Sequence, residues 1–240
     1  RGLYLYTLGD RKLFSWRLDG IGTSTAFAPD DAFLTVGTWD NSGVSCFALS
    51  GASRWLYPVS PDRRQALTNR LFATSVSQNG HSVLAVSYAN ARQGDATLAL
   101  WRSDGTGTPS WTQELGSDAF FPKAAVSADG SRVAVSYLRV ITRGDQSLAE
   151  HRLRLLDSSG NVLWEKGGLL FSPSLVGLAP DGKRITISDG QNTLYTLNDE
   201  GRIMAHTALG GAIRDTRPSA DGRFLLVYTG DGVLSLLRYD

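Results

Sequence analysis

Several features that would point to a particular class of protein are missing from this 240-residue sequence. The only cysteine is Cys46, so no disulfide can form within the chain, and the redox compartment stays open. No apolar run approaches the roughly 18–20 residues of a membrane span. The net charge is +1, so no overall field favours nucleic acid or an anionic membrane.

Recognisable catalytic motifs are also missing. The sequence has no nucleophile-elbow serine motif and no glycine-rich phosphate loop following a strand. Its three histidines, His81, His151 and His206, fall at different positions of the repeat described below, so we do not expect them to meet at one metal. We therefore expect no cofactor and, as the leading interpretation, no enzymatic activity.

The chain begins "RGLYLY", with neither an initiator methionine nor a signal peptide. We expect it to be a domain excised from a longer bacterial protein. An extracytoplasmic location, periplasmic or at the cell surface, is the corresponding expectation.

Internal repeats are the strongest signal in the sequence. Five segments share a tight polar turn followed by an alternating strand, as in "VSADGSRVAVSY" and "LAPDGKRITISDG". Asn-Gly and Asp-Gly pairs tolerate the positive φ of tight hairpins, so each segment predicts strand, turn and strand. The turn pairs are Asp30-Asp31, Asn79-Gly80, Asp129-Gly130, Asp181-Gly182 and Asp221-Gly222.

A Gly-x-x-x-Trp pattern recurs between these turns and ends at Trp55, Trp111 and Trp164, with a looser copy at Trp16 and Ala205 in the place of a fifth Trp. The spacings are 39, 56 and 53 residues from Trp16 onward. No segment with the periodicity of a helix interrupts the repeats, and the pattern of each repeat predicts four short strands. Such units predict an all-β fold, a β-propeller of four-stranded antiparallel blades, over residues 1–240 as a single domain.

The pattern "S-A-D-G-x-x-x-A-V-S … L-D-x-x-G-N-V-L-W" resembles the repeats of bacterial quinoprotein-like (PQQ-type) β-propellers. Its first half is also similar to WD-repeat-like propellers. The resemblance implies that Trp55, Trp111 and Trp164 pack between neighbouring blades, a place that suits a flat side chain with one N–H donor. The resemblance does not imply that this chain binds a quinone cofactor, because no residues match the family's cofactor-binding funnel with its calcium site.

The strands of a repeat are labelled A to D from the propeller axis outward. The chain begins on a C strand, continues with D, runs through complete A–D sets and ends on C, which gives five A, five B, six C and five D strands. A five-bladed ring closes if residues 11–18 lie beside residues 233–239. Alternatively, the chain is part of a larger ring. Five to six blades are the expectation.

The B–C loops each carry an aspartate shortly before the C strand. A ring of these carboxylates could bind a cation through oxygen ligands, which keeps open a propeller hydrolase or quinoprotein-like enzyme with its site at the central channel. The alternative is that Asp simply favours turns. The five residues are Asp40, Asp95, Asp145, Asp189 and Asp231.

Three expanded loops, residues 56–70, 88–97 and 138–147, are predicted on one face of the propeller. Long loops on a rigid scaffold often carry function, and arginine pairs with carboxylates and phosphates. The leading hypothesis is therefore a non-catalytic scaffold that binds a protein partner or an acidic ligand on this face. Its candidate binding residues are Arg63, Arg64, Arg70, Arg92, Asp95, Arg139, Arg143 and Asp145.

Overall fold

The computed structural model describes residues 2–18, 20–39, 43–57, 70–88, 96–143, 146–169 and 175–239. All regular elements in these ranges are β-strands, in the A-to-D order that the sequence predicts. The strands are β1 (Gly2–Tyr6), β2 (Lys12–Arg17), β3 (Ile21–Phe27), β4 (Phe33–Trp39), β5 (Val44–Ala48), β6 (Ser53–Tyr57), β7 (Leu71–Val76), β8 (Ser82–Tyr88), β9 (Ala96–Arg102), β10 (Trp111–Gly116), β11 (Ala119–Val126), β12 (Arg132–Arg143), β13 (Gln146–Asp157), β14 (Val162–Leu169), β15 (Leu175–Leu178), β16 (Arg184–Ser188), β17 (Thr193–Asn198), β18 (Ile203–Ala208), β19 (Ile213–Pro218), β20 (Phe224–Thr229) and β21 (Leu234–Arg238).

The chain divides into two compact units, Arg1–Leu115 and Gly116–Asp240. In the first unit, the hairpin β1–β2 precedes two antiparallel sheets, β3–β6 and β7–β10, which a single pair, Trp39↔Leu71, connects. The second unit holds the sheets β11–β14 and β15–β18 and the three-stranded sheet β19–β21. The single-domain interpretation stays a prediction.

The A–B turns are held by side chains of their own repeat. In the turn from Ser127 to Arg132, the Ser127 hydroxyl donates to Asp129 Oδ1 at 2.7 Å and accepts from the Arg132 amide at 3.0 Å. The Ser131 amide also donates to Asp129 Oδ1, at 2.9 Å. The turn residues take the predicted positive φ: Asp31 54°, Gly80 71°, Gly130 76°, Gly182 68° and Gly222 67°. These turns are structural.

Three of the repeated tryptophans connect a sheet to the next sheet of the same unit. The indole N–H of Trp16 donates to Gly51 O at 3.0 Å, and that of Trp55 to Ser103 O at 3.3 Å. In the second unit, Trp164 donates to Asp199 O at 2.6 Å. Every acceptor lies in the C–D turn of the following sheet, so the predicted inter-sheet role holds for Trp55 and Trp164, and Trp16 makes the same contact.

The burial of the tryptophans is less uniform than their hydrogen bonding. Trp16 and Trp55 are buried, whereas Trp111 and Trp164 are partly exposed. The turn glycine at 201 has a φ of 73°, and a Cβ there would lie 2.9 Å from the Trp164 ring, so the ring rests directly on the turn backbone. Trp101, which no sequence pattern singled out, is also buried and stacks on Trp55 at 5.8 Å between ring centroids.

Candidate functional site

The longest strands of the molecule form one hairpin. Strands β12 and β13 have 12 residues each, and their register runs without a break from Arg132↔Asp157 to Arg143↔Gln146. The other B strands, β4, β8, β16 and β20, have 7, 7, 5 and 6 residues. We call residues 138–151 of this hairpin the ribbon.

The ribbon corrects the prediction of a loop over residues 138–147. Apart from residues 144–145, which lie outside the described residues, this segment is strand. Two neighbouring β-branched residues, Val140 and Ile141, followed by Thr142, favour extended backbone, and the polar residues that suggested a loop sit on a solvated hairpin.

The outer part of the ribbon stands free of the rest of its sheet. Strand β11 pairs with β12 only as far as Ala119↔Arg139, and the Val140 amide then donates to Asp118 O at 3.0 Å. On the other side, β14 pairs with β13 as far as His151↔Leu169. In the ladders of the described residues, residues 141–143 and 146–148 therefore pair only with each other.

A network of charged side chains supports the base of the ribbon. Glu165 on β14 accepts hydrogen bonds from Arg152 and Arg154 on β13 and from the Tyr137 hydroxyl on β12, the last at 3.0 Å. Arg154 also donates to the Tyr137 hydroxyl at 3.1 Å. Charge-assisted bonds of this kind are stronger than neutral ones, so three strands are held together at this point.

The network shifts the pKa values of its members. Burial raises the pKa of Tyr137 to about 12, with Arg154 acting in the opposite sense, so the phenol stays a neutral donor at physiological pH. Burial acts to raise the pKa of Glu165, but the hydrogen bonds from Arg152 and Arg154 outweigh it and hold that pKa below its ordinary value.

Two further ion pairs neutralise the arginines near the ribbon. Arg152 donates to Glu150 Oε2 at 2.7 Å, and Arg139 donates to Asp118 Oδ2 at 2.6 Å. Arg139, a predicted ligand for an acidic partner, is therefore already paired with a carboxylate of its own sheet. The three arginines face three carboxylates, so the base of the ribbon carries no excess positive charge.

The outer ribbon is mostly apolar or weakly polar. Ile141 and Leu148 form a directly opposed pair, and Leu148 is 52% exposed. Their neighbouring pairs are Val140↔Ala149 and Thr142↔Ser147. Such a surface suits contact with another polypeptide better than recognition of a small anion.

Most of the other predicted binding residues fall outside the described residues. These are Arg63, Arg64, Arg92, Asp95 and Asp145, together with Asp40 of the proposed carboxylate ring. Arg143 ends β12, and its side chain is likewise outside the description.

Arg70 immediately precedes β7, and its guanidinium donates to Ser87 Oγ at 3.3 Å. It lines a cleft of about 280 Å³ in the first unit, whose wall includes Tyr57, Trp101 and Gln113. The buried Gln113 Oε1 has no hydrogen-bond partner among the described residues. The sequence predicts Arg70 as a binding residue only from its place in an expanded loop, and no feature of the sequence indicates Gln113.

The two described aspartates of the carboxylate ring cap their own turns. Asp189 accepts from the Gln191 and Thr193 amides at 2.9 and 3.0 Å. Partial burial acts to raise the pKa of Asp189, but these amides hold it below its ordinary value. Asp231 accepts from the Thr229 hydroxyl, which is the main reason that its pKa is lowered. Within the described ranges, no group of three or more His, Cys, Asp or Glu side chains is placed to hold a metal.

Comparison with solved structures identifies the architecture. The chain is similar to the Dos1 propeller (TM-score 0.67, 14% identity, 99% of this chain and 62% of that one) and to the β-propeller domain of Myceliophteria thermophila Cps50 (Swd1) (TM-score 0.64, 16% identity, 92% and 66%). Kuenenia stuttgartiensis hydrazine synthase also matches (TM-score 0.58, 12% identity, 96% and 87%). The chain thus spans less than two thirds of the length of the two propeller domains.

These similarities show the fold: the chain is a β-propeller with multiple blades, and its sheets are the blades. No protein-family model and no curated protein matches the sequence, so the resemblance to PQQ-type repeats stays a prediction. Where the chain is described, it contains no helix with the length and apolar character to cross a membrane.

Proposed function

We propose that this chain is a non-catalytic β-propeller scaffold that binds a protein partner through the ribbon. The observation that carries the proposal is the unbroken register of β12 and β13 beyond the edges of their own sheet. Free strand edges invite pairing with other chains, so proteins usually keep them short or cover them. We therefore infer that a ribbon of this length, on an otherwise regular repeat, serves to bind another polypeptide.

The chemistry of the ribbon supports a protein partner. Its base is fixed by the Glu165 network, so binding costs little ordering of the scaffold. Its outer part offers Ile141, Leu148 and open backbone groups, which suit apolar contact and strand pairing. The paired Arg139 makes an acidic small ligand a weaker candidate than a polypeptide.

The turn-capping roles of Asp189 and Asp231 favour a scaffold over an enzyme. An enzyme built on the carboxylate ring needs carboxylates that are free to act on a ligand. Both of these accept hydrogen bonds from their own turns instead.

The test compares the wild-type chain with a variant in which residues 140–149 are replaced by Asn-Gly. Because the Val140 amide points to Asp118, Arg139 and Glu150 are the pair whose main-chain groups face each other, and a two-residue turn closes such a pair. Immobilised wild-type chain is used to capture partners from lysate of the source cells. The binding of the purified partner is then measured by calorimetry, and we expect the shortened variant to lose it.

A single substitution refines the test. Leu148→Arg is expected to weaken the partner's Kd about tenfold or more, because it places a charge in a small apolar contact. Leu163→Arg, at an exposed leucine of β14 away from the ribbon, is the matched control and should leave Kd unchanged. Equal binding by the wild-type chain and the shortened variant contradicts the proposal.

A further inference from the structure

The cleft of about 280 Å³ in the first unit lies against the sheet β7–β10 and against Tyr57 of β6. Its wall is formed by positions at which this sheet carries small side chains. The equivalent positions of the sheet β11–β14 carry larger ones. The small residues are Ala85, Ser87, Thr97, Ala99 and Thr112, and their equivalents are Val135, Tyr137, Arg152, Arg154 and Glu165.

The equivalence follows from the turns and the ladders. Ser87 and Tyr137 stand at the same distance from the glycine of their A–B turns. Their ladder partners are Thr97 and Arg152, respectively. The residue after the repeated tryptophan of each D strand gives a further pair. The positions that build the Glu165 network in one sheet therefore line an open cleft in another.

Two hydroxyl groups give the cleft a hydrogen-bonding wall. The hydroxyls of Ser87 and Thr97 lie 2.6 Å apart, and this hydrogen bond uses one of their two hydrogens. The other hydrogen makes no hydrogen bond within the described part of the chain. Because hydroxyl oxygens also accept, this pair can both donate to a ligand and accept from it.

Gln113 adds an amide to the same cleft. Its buried side-chain oxygen has no hydrogen-bond partner among the described residues, and such an oxygen is costly to leave unpaired. The last torsion of a glutamine has a broad range, so a rotation turns the amide toward a ligand in the cleft. A ligand hydroxyl suits either end of the amide, since it can donate to the oxygen or accept from the nitrogen.

The remaining lining favours a ligand without net charge. Among the described residues, Arg70 and Glu114 are the charged members of the lining, one of each sign. Tyr57, Ala85 and Ala99 contribute apolar surface. Mostly apolar walls with a few placed polar groups are typical of small-molecule sites. A ring with C–H groups on its face and hydroxyls at its edge matches this combination.

The volume of the cleft limits the ligand to about a single ring. Pockets for drug-sized ligands measure about 300–1,000 Å³, and an apolar cavity of about 150 Å³ holds benzene. At about 280 Å³, the cleft fits a molecule larger than benzene and smaller than most drugs. A hexose has this size.

We propose that this cleft binds an uncharged monosaccharide. The hydroxyls of the sugar bond with the Ser87–Thr97 pair and with the Gln113 amide, and its C–H face lies on Tyr57 and the two alanines. Arg70 already donates to Ser87, and the proposal does not require its guanidinium to be free. The site lies in the first unit and does not depend on the function proposed for the ribbon.

Ligand-detected saturation-transfer NMR on the full chain tests the proposal. The probes are D-glucose, D-galactose, D-mannose and N-acetyl-D-glucosamine, and we expect at least one of them to bind saturably. Analogues of the bound sugar in which an amino or a carboxylate group replaces one hydroxyl should bind about threefold or more weakly, because the lining offers no excess of either charge.

Three variants locate the sugar. Ser87→Tyr introduces the residue of the equivalent position in β12 and fills the cleft, so we expect it to abolish binding. Thr97→Val removes a hydroxyl and Gln113→Leu removes the amide, and each should weaken the Kd about threefold or more. Gln191→Leu, at an exposed glutamine of the second unit, is the matched control and should leave the Kd unchanged.

The proposal is overturned if no sugar of the panel binds, or if wild type and Ser87→Tyr bind equally. A charged analogue that binds more tightly than every uncharged sugar also overturns it, because the ligand class is then wrong. Circular dichroism melts establish that the variants are folded. If Ser87→Tyr does not fold, Thr97→Val and Gln113→Leu decide, and unchanged binding by both places the sugar elsewhere and ends the proposal.

Discussion

At the scale of single residues, the tryptophan indoles contribute both packing and a directed hydrogen bond. Trp55 is 5% exposed, stacks on Trp101 and donates to Ser103 O in the next sheet. Removing the indole takes away the donor of this hydrogen bond, and an unsatisfied buried group is costly. The contacts between sheets are therefore as specific as the ladders within them.

Trp55→Phe is expected to lower the free energy of unfolding by about 1–3 kcal/mol, because it removes the N–H donor and part of the buried ring. Urea denaturation followed by far-ultraviolet circular dichroism measures the change. Trp39→Phe is the matched control, because Trp39 is 43% exposed, and it should stay within about 0.5 kcal/mol of wild type. Equal effects of the two changes would mean that the inter-sheet bond adds nothing.

Cys46 gives a chemical test of the core. Burial raises the pKa of its thiol to about 12, with the charge of Arg54 acting in the opposite sense. The thiolate is the reactive form, so the native protein should react with Ellman's reagent at pH 8 far more slowly than the same protein in denaturant. Rapid labelling under native conditions would show that β5 is not buried as described.

At the scale of elements, the Glu165 network holds the base of the ribbon in place on its sheet. Glu165→Gln leaves Arg152 and Arg154 without their shared carboxylate. We expect a loss of about 1–3 kcal/mol in unfolding free energy, below the value for a fully buried pair because solvent still reaches these side chains. Glu114→Gln, at an exposed position of β10, is the control and should be neutral.

The same network predicts a pH dependence. Glu165 has a lowered pKa in the folded state, so its contribution is fully present above its unfolded pKa of about 4.3. That contribution is lost as the pH falls through the folded pKa. The stability gap between wild type and Glu165→Gln should therefore be constant near neutrality and narrow below about pH 4. A gap that widens in acid contradicts this assignment.

The sequence predicts elements well where the repeat is regular and poorly where it departs from it. The Asp-Gly turns locate the strands on either side of them, because a positive φ is a local requirement that few residues meet. The ribbon was mistaken for a loop because both faces of residues 138–151 are solvated, which removes the apolar alternation that marks a strand. Its base depends on Glu165, which is distant in sequence from Tyr137, and no local pattern reveals such a contact.

At the scale of the whole molecule, the order of strands follows directly from the repeats: it begins on a C strand and ends on a C strand. The predicted binding residues do not follow in the same way. Arg139, one of the arginines that suggested an acidic ligand, is paired with Asp118, and only three-dimensional pairing shows this.

The central claim is that the ribbon is the partner-binding surface of the propeller. Hydrogen–deuterium exchange of the chain, with and without the partner captured on the wild-type chain, tests it most directly. We predict that the partner slows exchange in peptides covering residues 138–151 and leaves the A–B turns, such as residues 127–132, unchanged. Slower exchange at the A–B turns, with no change in residues 138–151, would contradict the account.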